Sequence, residues 1–158
     1  MRIDILTLFP EMFSAMTESI IGRAQKTGKI QINIVNIRDY TKDKHLKCDD
    51  YPFGGGAGMV MMPQPIGSAI EALDPEHKAR RIYMSPKGET FRQQKVFELL
   101  QYEHLILLCG HYEGVDQRAL DLFIDEENRD SEVNEKGEGD RENEDYEEIE
   151  EEKLRIKF

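Results

Sequence analysis

Residues 104–109 (HLILLC) carry five apolar side chains in succession and end at Gly110. An apolar run of this length predicts a strand that is covered on both faces, as in a parallel sheet. Further strands are predicted at residues 2–9, 30–37 and 81–84, and helices at residues 11–16, 19–26, 65–73, 91–101 and 117–123. Strands that alternate with helices predict an α/β fold with a mostly parallel sheet.

Two polar segments directly follow predicted strands. One is SPKG at residues 85–88, and the other is GHYEG at residues 110–114. Because ligands bind outside the carboxyl ends of strands in such sheets, both segments are candidate site loops. The glycines let the backbone approach a ligand closely, while Tyr112 offers a stacking face and Glu113 a carboxylate.

Asp116 and Arg118 follow the second of these segments. Their positions just before and within a predicted helix favour a structural role, in which Asp116 caps the helix and Arg118 forms a surface ion pair. Ser85 has no base beside it in the sequence, so nothing indicates a nucleophilic serine.

A long segment without periodicity, residues 38–62, contains the glycine-rich stretch DDYPFGGGAGMVMMP. No Gly-Lys-Ser/Thr follows, which excludes a Walker phosphate loop, and Met59 stands where a dinucleotide motif needs its last glycine. The remaining interpretation is a loop whose bare backbone approaches a flat or anionic ligand. The alternative is a mobile surface loop, but the apolar residues 59–62 predict that one end is anchored by burial.

The charge of the chain is concentrated at one end. Residues 128–158 hold 13 acidic and 6 basic side chains, a net charge of −7 out of −11 for all 158 residues. A segment so polar predicts disorder, and we therefore expect a domain at residues 1–127 followed by an acidic tail at residues 128–158. The overall charge does not indicate nucleic-acid binding, although Lys42, Lys44 and Lys47 form a local basic cluster.

The chain has two cysteines, Cys48 and Cys109. Together with His45 and His111 they could supply four zinc ligands, but inert buried thiols are the more common outcome, and we expect no metal. Two cysteines and no apolar run of membrane-spanning length predict a reduced, cytoplasmic setting without a membrane.

Five motifs occur in the order LTLFPEMF, DDYPFGGGAGMVMMPQP, YMSPKGETF, LLCGHYEGVDQR and IDEE. In this order and spacing they resemble the bacterial tRNA (guanine-N(1)-)-methyltransferases of the knotted SPOUT class, over residues 1–127. The resemblance implies methyl transfer from S-adenosyl-L-methionine to N1 of the guanosine 3′-adjacent to the tRNA anticodon. It also implies a homodimer.

The resemblance assigns roles to residues in these motifs. The residues implied to bind the methyl donor are Tyr83, Met84, Ser85, Pro86, Gly110, Tyr112, Glu113 and Gly114. The residues implied to lie at the target nucleotide are Asp50, Gly54, Gly55, Gly56, Gly58 and Met59. Glu113 is also implied to contact the guanine.

The resemblance ends at IDEE. In the family a third cofactor loop, the last segment of the knot and the Asp thought to act as general base follow this motif, and none of them is recognisable after residue 127. We therefore expect an incomplete knot. An alternative function is a non-enzymatic half-domain that binds a nucleotide or a protein and uses its acidic tail for interaction.

Overall fold

The computed structural model describes residues 1–52, 55 and 58–129. The strands are β1 (Arg2–Thr7), β2 (Gln31–Asn36), β3 (Asp49–Asp50), β4 (Val60–Met61), β5 (Arg80–Thr90), β6 (His104–Cys109) and β7 (Glu126–Arg129). The helices are α1 (Ser19–Lys26), α2 (Pro63–Leu73), α3 (Gln93–Leu99) and α4 (Gln117–Phe123), with 3-10 helices at Pro10–Thr17 and Ile37–Tyr40. Within this part of the chain, five strands form a parallel sheet in the order β2-β1-β6-β5-β7, and β3 pairs antiparallel with β4. The predicted α/β fold is confirmed.

The central strand β6 is covered on both faces. Ile106 and Leu108 lie in an apolar cluster with Ile66 and Ile70 of α2, whereas Leu105 belongs to a second cluster on the opposite face. Leu105, Ile106 and Leu108 are all buried. Because helices pack on both sides of the sheet, β6 is apolar at consecutive positions, as its sequence predicted.

The predicted end of β5 is wrong. We expected a strand at residues 81–84 and a helix at residues 91–101, but the strand runs to Thr90 and α3 begins only at Gln93. The register between β5 and β7 shifts between Met84 and Glu89, and pairing resumes at Glu89 and Thr90. Pairing with a distant strand thus overrides the local turn signal of the Ser-Pro-Lys-Gly segment.

Other boundaries also differ from the prediction. Helix α2 begins at Pro63 rather than near Pro65, because proline is well suited to the first turn of a helix. The segment after Phe9 is a 3-10 helix. The predicted aperiodic loop at residues 38–62 contains a 3-10 helix and the short strands β3 and β4.

Strand β7 continues beyond Glu127 through Asn128 and Arg129. Arg129 donates a hydrogen bond from Nε to Thr90 Oγ1 over 3.1 Å, and its carbonyl accepts one from the Phe91 amide over 2.8 Å. The rest of the predicted acidic tail lies outside the described residues, so its disorder stays a prediction.

A buried ion pair fixes the end of α2 to the start of β5. Asp74 and Arg81 are 4% and 9% exposed, and Arg81 Nη2 lies 2.7 Å from Asp74 Oδ2. The amides of Lys78 and Ala79 also donate to this carboxylate. Burial raises the pKa of Asp74, but the hydrogen bonds from Arg81 and the two amides outweigh it, so the pKa lies below its usual value.

Replacing Asp74 with Ala should lower the free energy of unfolding by about 3–5 kcal/mol at pH 7, because it leaves the Arg81 guanidinium buried without its carboxylate. Since the pKa of Asp74 is lowered by folding, its contribution is present above the usual aspartate range and is lost as the pH falls below about 3.9. Urea denaturation across pH measures both effects.

Glu76→Ala is the matched control, because Glu76 and Lys78 form an ion pair whose side chains are 71% and 76% exposed. This substitution should change the unfolding free energy by less than about 1 kcal/mol. Equal costs for the two variants would contradict the role assigned to Asp74.

Candidate functional site

The two predicted site segments lie side by side where the pairing of β5 with β6 ends. Met84 of β5 pairs with Cys109 of β6, so Ser85 and Gly110 are the next residues of two neighbouring parallel strands. Ser85 is buried and its Oγ accepts a hydrogen bond from the Lys87 amide over 3.0 Å, whereas Pro86 is exposed. Met84 is partly buried against the apolar cluster of Ile82 and Leu99 on the α3 side.

The end of the glycine-rich loop is hydrogen-bonded to the loop after β6. The Glu113 amide donates to the Met59 carbonyl over 3.1 Å, and the Met61 amide donates to the Gly114 carbonyl over 2.9 Å. A third bond joins the Asp116 amide to the Met61 carbonyl over 3.0 Å. Met61 is fully buried, which confirms that this end of the loop is anchored.

Gly58 and Glu113 are in direct contact across these two loops. Gly58 has a φ of +90°, and the space that a Cβ would fill at this position is occupied by the Glu113 side chain. Both a left-handed backbone and the absence of a side chain are therefore required here. Gly55 is exposed and has a φ of +86°, while Gly54 and Gly56 lie outside the described residues.

Asp50 lies on β3, opposite Val60 of β4, and is exposed beside the glycine-rich loop. Its Oδ1 accepts hydrogen bonds from the Tyr51 amide over 2.9 Å and from Lys47 Nζ over 3.4 Å. These contacts, with the Tyr51 amide contributing most, hold the pKa of Asp50 below its usual value. The loop therefore carries a negative charge at its start at neutral pH.

The Tyr83 side chain packs against Gly110 at the start of the loop after β6. This side chain is 6% exposed, and a Cβ built on Gly110 would lie 2.7 Å from the Tyr83 hydroxyl oxygen. Burial, and to a lesser extent the charge of Glu127, raises the pKa of the Tyr83 phenol, which is therefore neutral at physiological pH. Gly110 thus allows the backbone to lie directly on the Tyr83 ring.

Three rings meet at this edge in a way that the sequence did not indicate. The His111 ring lies 4.7 Å from the Phe9 ring and 4.6 Å from the Tyr112 ring, both with an interplanar angle of 67°. Tyr112 has a φ of +59° and is 42% exposed. Phe9 follows β1 and His111 follows β6, so the parallel pairing of these strands brings the rings together.

Asp116 and Arg118 have the structural roles that were predicted. Asp116 caps α4 by accepting a hydrogen bond from the Arg118 amide over 2.9 Å. The Arg118 guanidinium also binds both carboxylate oxygens of Asp116, at 2.9 and 2.7 Å. These side-chain bonds lower the pKa of Asp116, so the cap is ionised at neutral pH.

The cysteine and histidine pairs do not converge on a metal site in the described part of the chain. There, no group of three or more His, Cys, Asp or Glu side chains is arranged to hold a metal ion. Burial raises the pKa of both thiols, Cys48 and Cys109, which keeps them protonated and poorly suited as ligands or nucleophiles. Among the helices described, none is long and apolar enough to cross a membrane.

The fold and the site define an α/β protein with an open parallel sheet, whose glycine-flanked loops form a candidate ligand site at the carboxyl edge. The family model described as "tRNA (Guanine-1)-methyltransferase TrmD" matches residues 1–130. The chain belongs to this family.

Individual relatives support the same assignment. The chain is 59% identical over 130 residues to a tRNA (guanine-N(1)-)-methyltransferase of Ruminiclostridium cellulolyticum, covering 80% of this chain and 56% of the relative. It is 60% identical over 127 residues to the protein of that name in Clostridium botulinum strain Hall, covering 80% and 52%. The crystal structure of tRNA (m1G37) methyltransferase from Aquifex aeolicus is similar with a TM-score of 0.73 and 33% identity, covering 80% and 58%. The chain thus spans about half the length of the relatives it matches.

Gly58→Ala should destabilise the contact between the two loops, because the new methyl group adds a clash with Glu113 to the strain of a positive φ. We expect a loss of unfolding free energy of about 2–4 kcal/mol and faster hydrogen exchange at the Glu113 amide. Gly28→Ala is the control, since Gly28 has a φ of +71° but no atom within 4 Å of the added Cβ. Equal effects of the two substitutions on Glu113 exchange would contradict this account.

Gly110→Ala should be destabilising in a way that depends on Tyr83. In a double-mutant cycle, Tyr83→Phe removes the oxygen nearest to the new methyl group and should recover about 0.5–2 kcal/mol of the loss. Urea denaturation of the four proteins measures the coupling free energy. Strict additivity of the two substitutions would show that the ring does not limit the residue at position 110.

Proposed function

We propose that this chain carries the part of a tRNA guanine-N(1) methyltransferase site that binds S-adenosyl-L-methionine and the guanine base of the target nucleotide. The methyl acceptor is N1 of the guanosine 3′-adjacent to the anticodon. The observation that supports this most directly is the set of three backbone hydrogen bonds between residues 59–61 and residues 113–116. They join the two loops that the family resemblance implies for nucleotide and cofactor.

The residues present fit the methyl donor. Gly110 is exposed at the end of β6 and rests on Tyr83, so bare backbone is available to a flat adenine ring. Gly114 has a φ of +125°, which only glycine adopts readily, and it closes the same loop. The proposed donor-binding residues are these two glycines with Tyr83, Met84, Ser85, Pro86, Tyr112 and Glu113.

The bound donor supplies a methyl group already activated on a sulfonium. The task of the protein is therefore to orient the acceptor nitrogen toward that carbon and to exclude competing orientations. We assign the orientation of the base to Glu113, whose carboxylate can accept hydrogen bonds from the donors on the guanine edge. The resemblance adds Asp50, Gly54, Gly55, Gly56, Gly58 and Met59 as the wall against which the base lies.

The contact between Glu113 and Gly58 supports this assignment. Because the Glu113 side chain fills the space above Gly58, the carboxylate lies between the glycine-rich loop and the loop after β6. A guanine held against the bare backbone of the first loop would then face a carboxylate from the second.

The same family membership is the basis for proposing tRNA as the partner, a homodimer as the assembly and the cytoplasm as the location. The basic residues Lys42, Lys44 and Lys47 are exposed beside the glycine-rich loop, which suits contact with a phosphate backbone.

Isothermal titration calorimetry with S-adenosyl-L-methionine and a methyl-transfer assay on unmodified tRNA test the proposal together. We expect donor binding, and a decrease of about 10- to 100-fold in methyl transfer for Glu113→Gln, because a charged hydrogen bond to the base is weakened. Glu103→Gln is the control, since Glu103 is exposed at the opposite edge of the sheet, before β6.

The outcomes separate the two functions considered for this chain. Donor binding without methyl incorporation into tRNA would favour the non-enzymatic binding half-domain. The absence of measurable donor binding would contradict the proposed site.

A further inference from the structure

Phe9 and His111 have no assigned role in binding or catalysis, but the His111 ring contacts both the Phe9 ring and the Tyr112 ring. Tyr112 is 42% exposed at the carboxyl edge of the sheet, its ring contacts the His111 ring, and its backbone is left-handed. A left-handed conformation is uncommon for a bulky residue and persists only where surrounding contacts hold it. The contacts around Tyr112 therefore hold its backbone in this conformation.

The ring contacts form a continuous line from the sheet to Tyr112. Phe9 packs edge-on against His111 at 4.7 Å, and His111 packs edge-on against Tyr112 at 4.6 Å. Both centroid distances and the interplanar angle of 67° lie in the range preferred by aromatic pairs. Each ring thus restricts the rotation of the next.

The first ring of the line is fixed to the sheet. The Phe9 amide donates to Thr7 Oγ1 over 3.1 Å, and Thr7 is 5% exposed at the end of β1. Phe9 itself packs on the main apolar cluster of the core. The position of Phe9 is therefore set by the core and not by a mobile loop.

The turn that carries Tyr112 is fixed at both ends as well. The Gly114 amide donates to the His111 carbonyl over 3.2 Å, which closes the turn around Tyr112. The Glu113 amide is bonded to Met59 in the glycine-rich loop. With the backbone of the turn held, the Tyr112 side chain contacts the His111 ring.

We infer that Phe9 and His111 are positioning residues, which hold the half-exposed Tyr112 ring as a stacking surface for a purine at the candidate site. The inference rests on the proposed function for the identity of the ligand, since the purine is either the adenine of the methyl donor or the guanine of the acceptor. Neither Phe9 nor His111 needs to touch the purine.

The experiment observes Tyr112 directly by NMR on the full chain labelled with ¹³C in its tyrosine rings, with Tyr112→Phe to assign the signals. Phe9→Leu and His111→Leu remove a ring and keep an apolar side chain of similar size. His111→Phe retains a ring at the same place. Phe13→Leu is the matched control, because Phe13 is also partly buried after β1 and belongs to the adjacent 3-10 helix.

We expect Phe9→Leu and His111→Leu to shift and average the Tyr112 ring signals, whereas His111→Phe and Phe13→Leu preserve them. Titrations with S-adenosyl-L-methionine and, separately, with guanosine 5′-monophosphate then show which purine stacks. The affinity of the chain for that purine should fall about five-fold in Phe9→Leu and in His111→Leu, which corresponds to the loss of one aromatic contact. The affinity should recover in His111→Phe.

Unchanged Tyr112 signals in Phe9→Leu and His111→Leu would overturn the inference, as would purine affinities equal to that of Phe13→Leu. Failure of the unmodified chain to bind either purine would contradict the proposed function instead. In that case the tyrosine signals alone would support or overturn the positioning role of the two rings.

Discussion

The parallel pairing of β6 with β1 on one side and β5 on the other is the constraint on which the site depends. Parallel strands run in the same direction, so Phe9 and Gly110, which follow β1 and β6, lie near Ser85, the first residue of β5 beyond its pairing with β6. The apolar side chains of β6 are buried on both faces, and this burial makes the arrangement stable. No loop has to cross the domain to form the site, because the parallel sheet places the site segments next to one another at its carboxyl edge.

A second level of order comes from the glycine-rich segment. Met61 is buried, and its backbone forms hydrogen bonds with residues 114 and 116. The next residue, Met62, donates a hydrogen bond from its amide to the Cys48 carbonyl. The exposed Gly55 and Gly58 thus lie between β3 and β4, which pair with each other. Glycine allows many backbone conformations, and the pairing of β3 with β4 restricts the segment at both of its ends.

The sequence predicted what depends on local pattern. The strand β6 and the helices α1 and α4 agree with the predicted ranges, because apolar runs, caps and terminators are local signals. The course of β5 beyond Met84 was not predictable, since it depends on pairing with β7. Likewise, no local pattern indicates that Phe9 reaches His111 or that Glu113 fills the space above Gly58. The motifs identified candidate site residues, but the contacts among them arise only from the sheet.

The contact between Tyr83 and Gly110 has a consequence for how this domain can change over evolutionary time. Tyr83 lies on β5 and Gly110 directly follows the neighbouring strand β6. The tyrosine ring fills the space that a side chain at position 110 would need. A descendant could gain a larger residue at 110 only after the ring at 83 had been reduced, and that intermediate would have a cavity in the core. The order of the two substitutions is therefore restricted by the packing of the two residues.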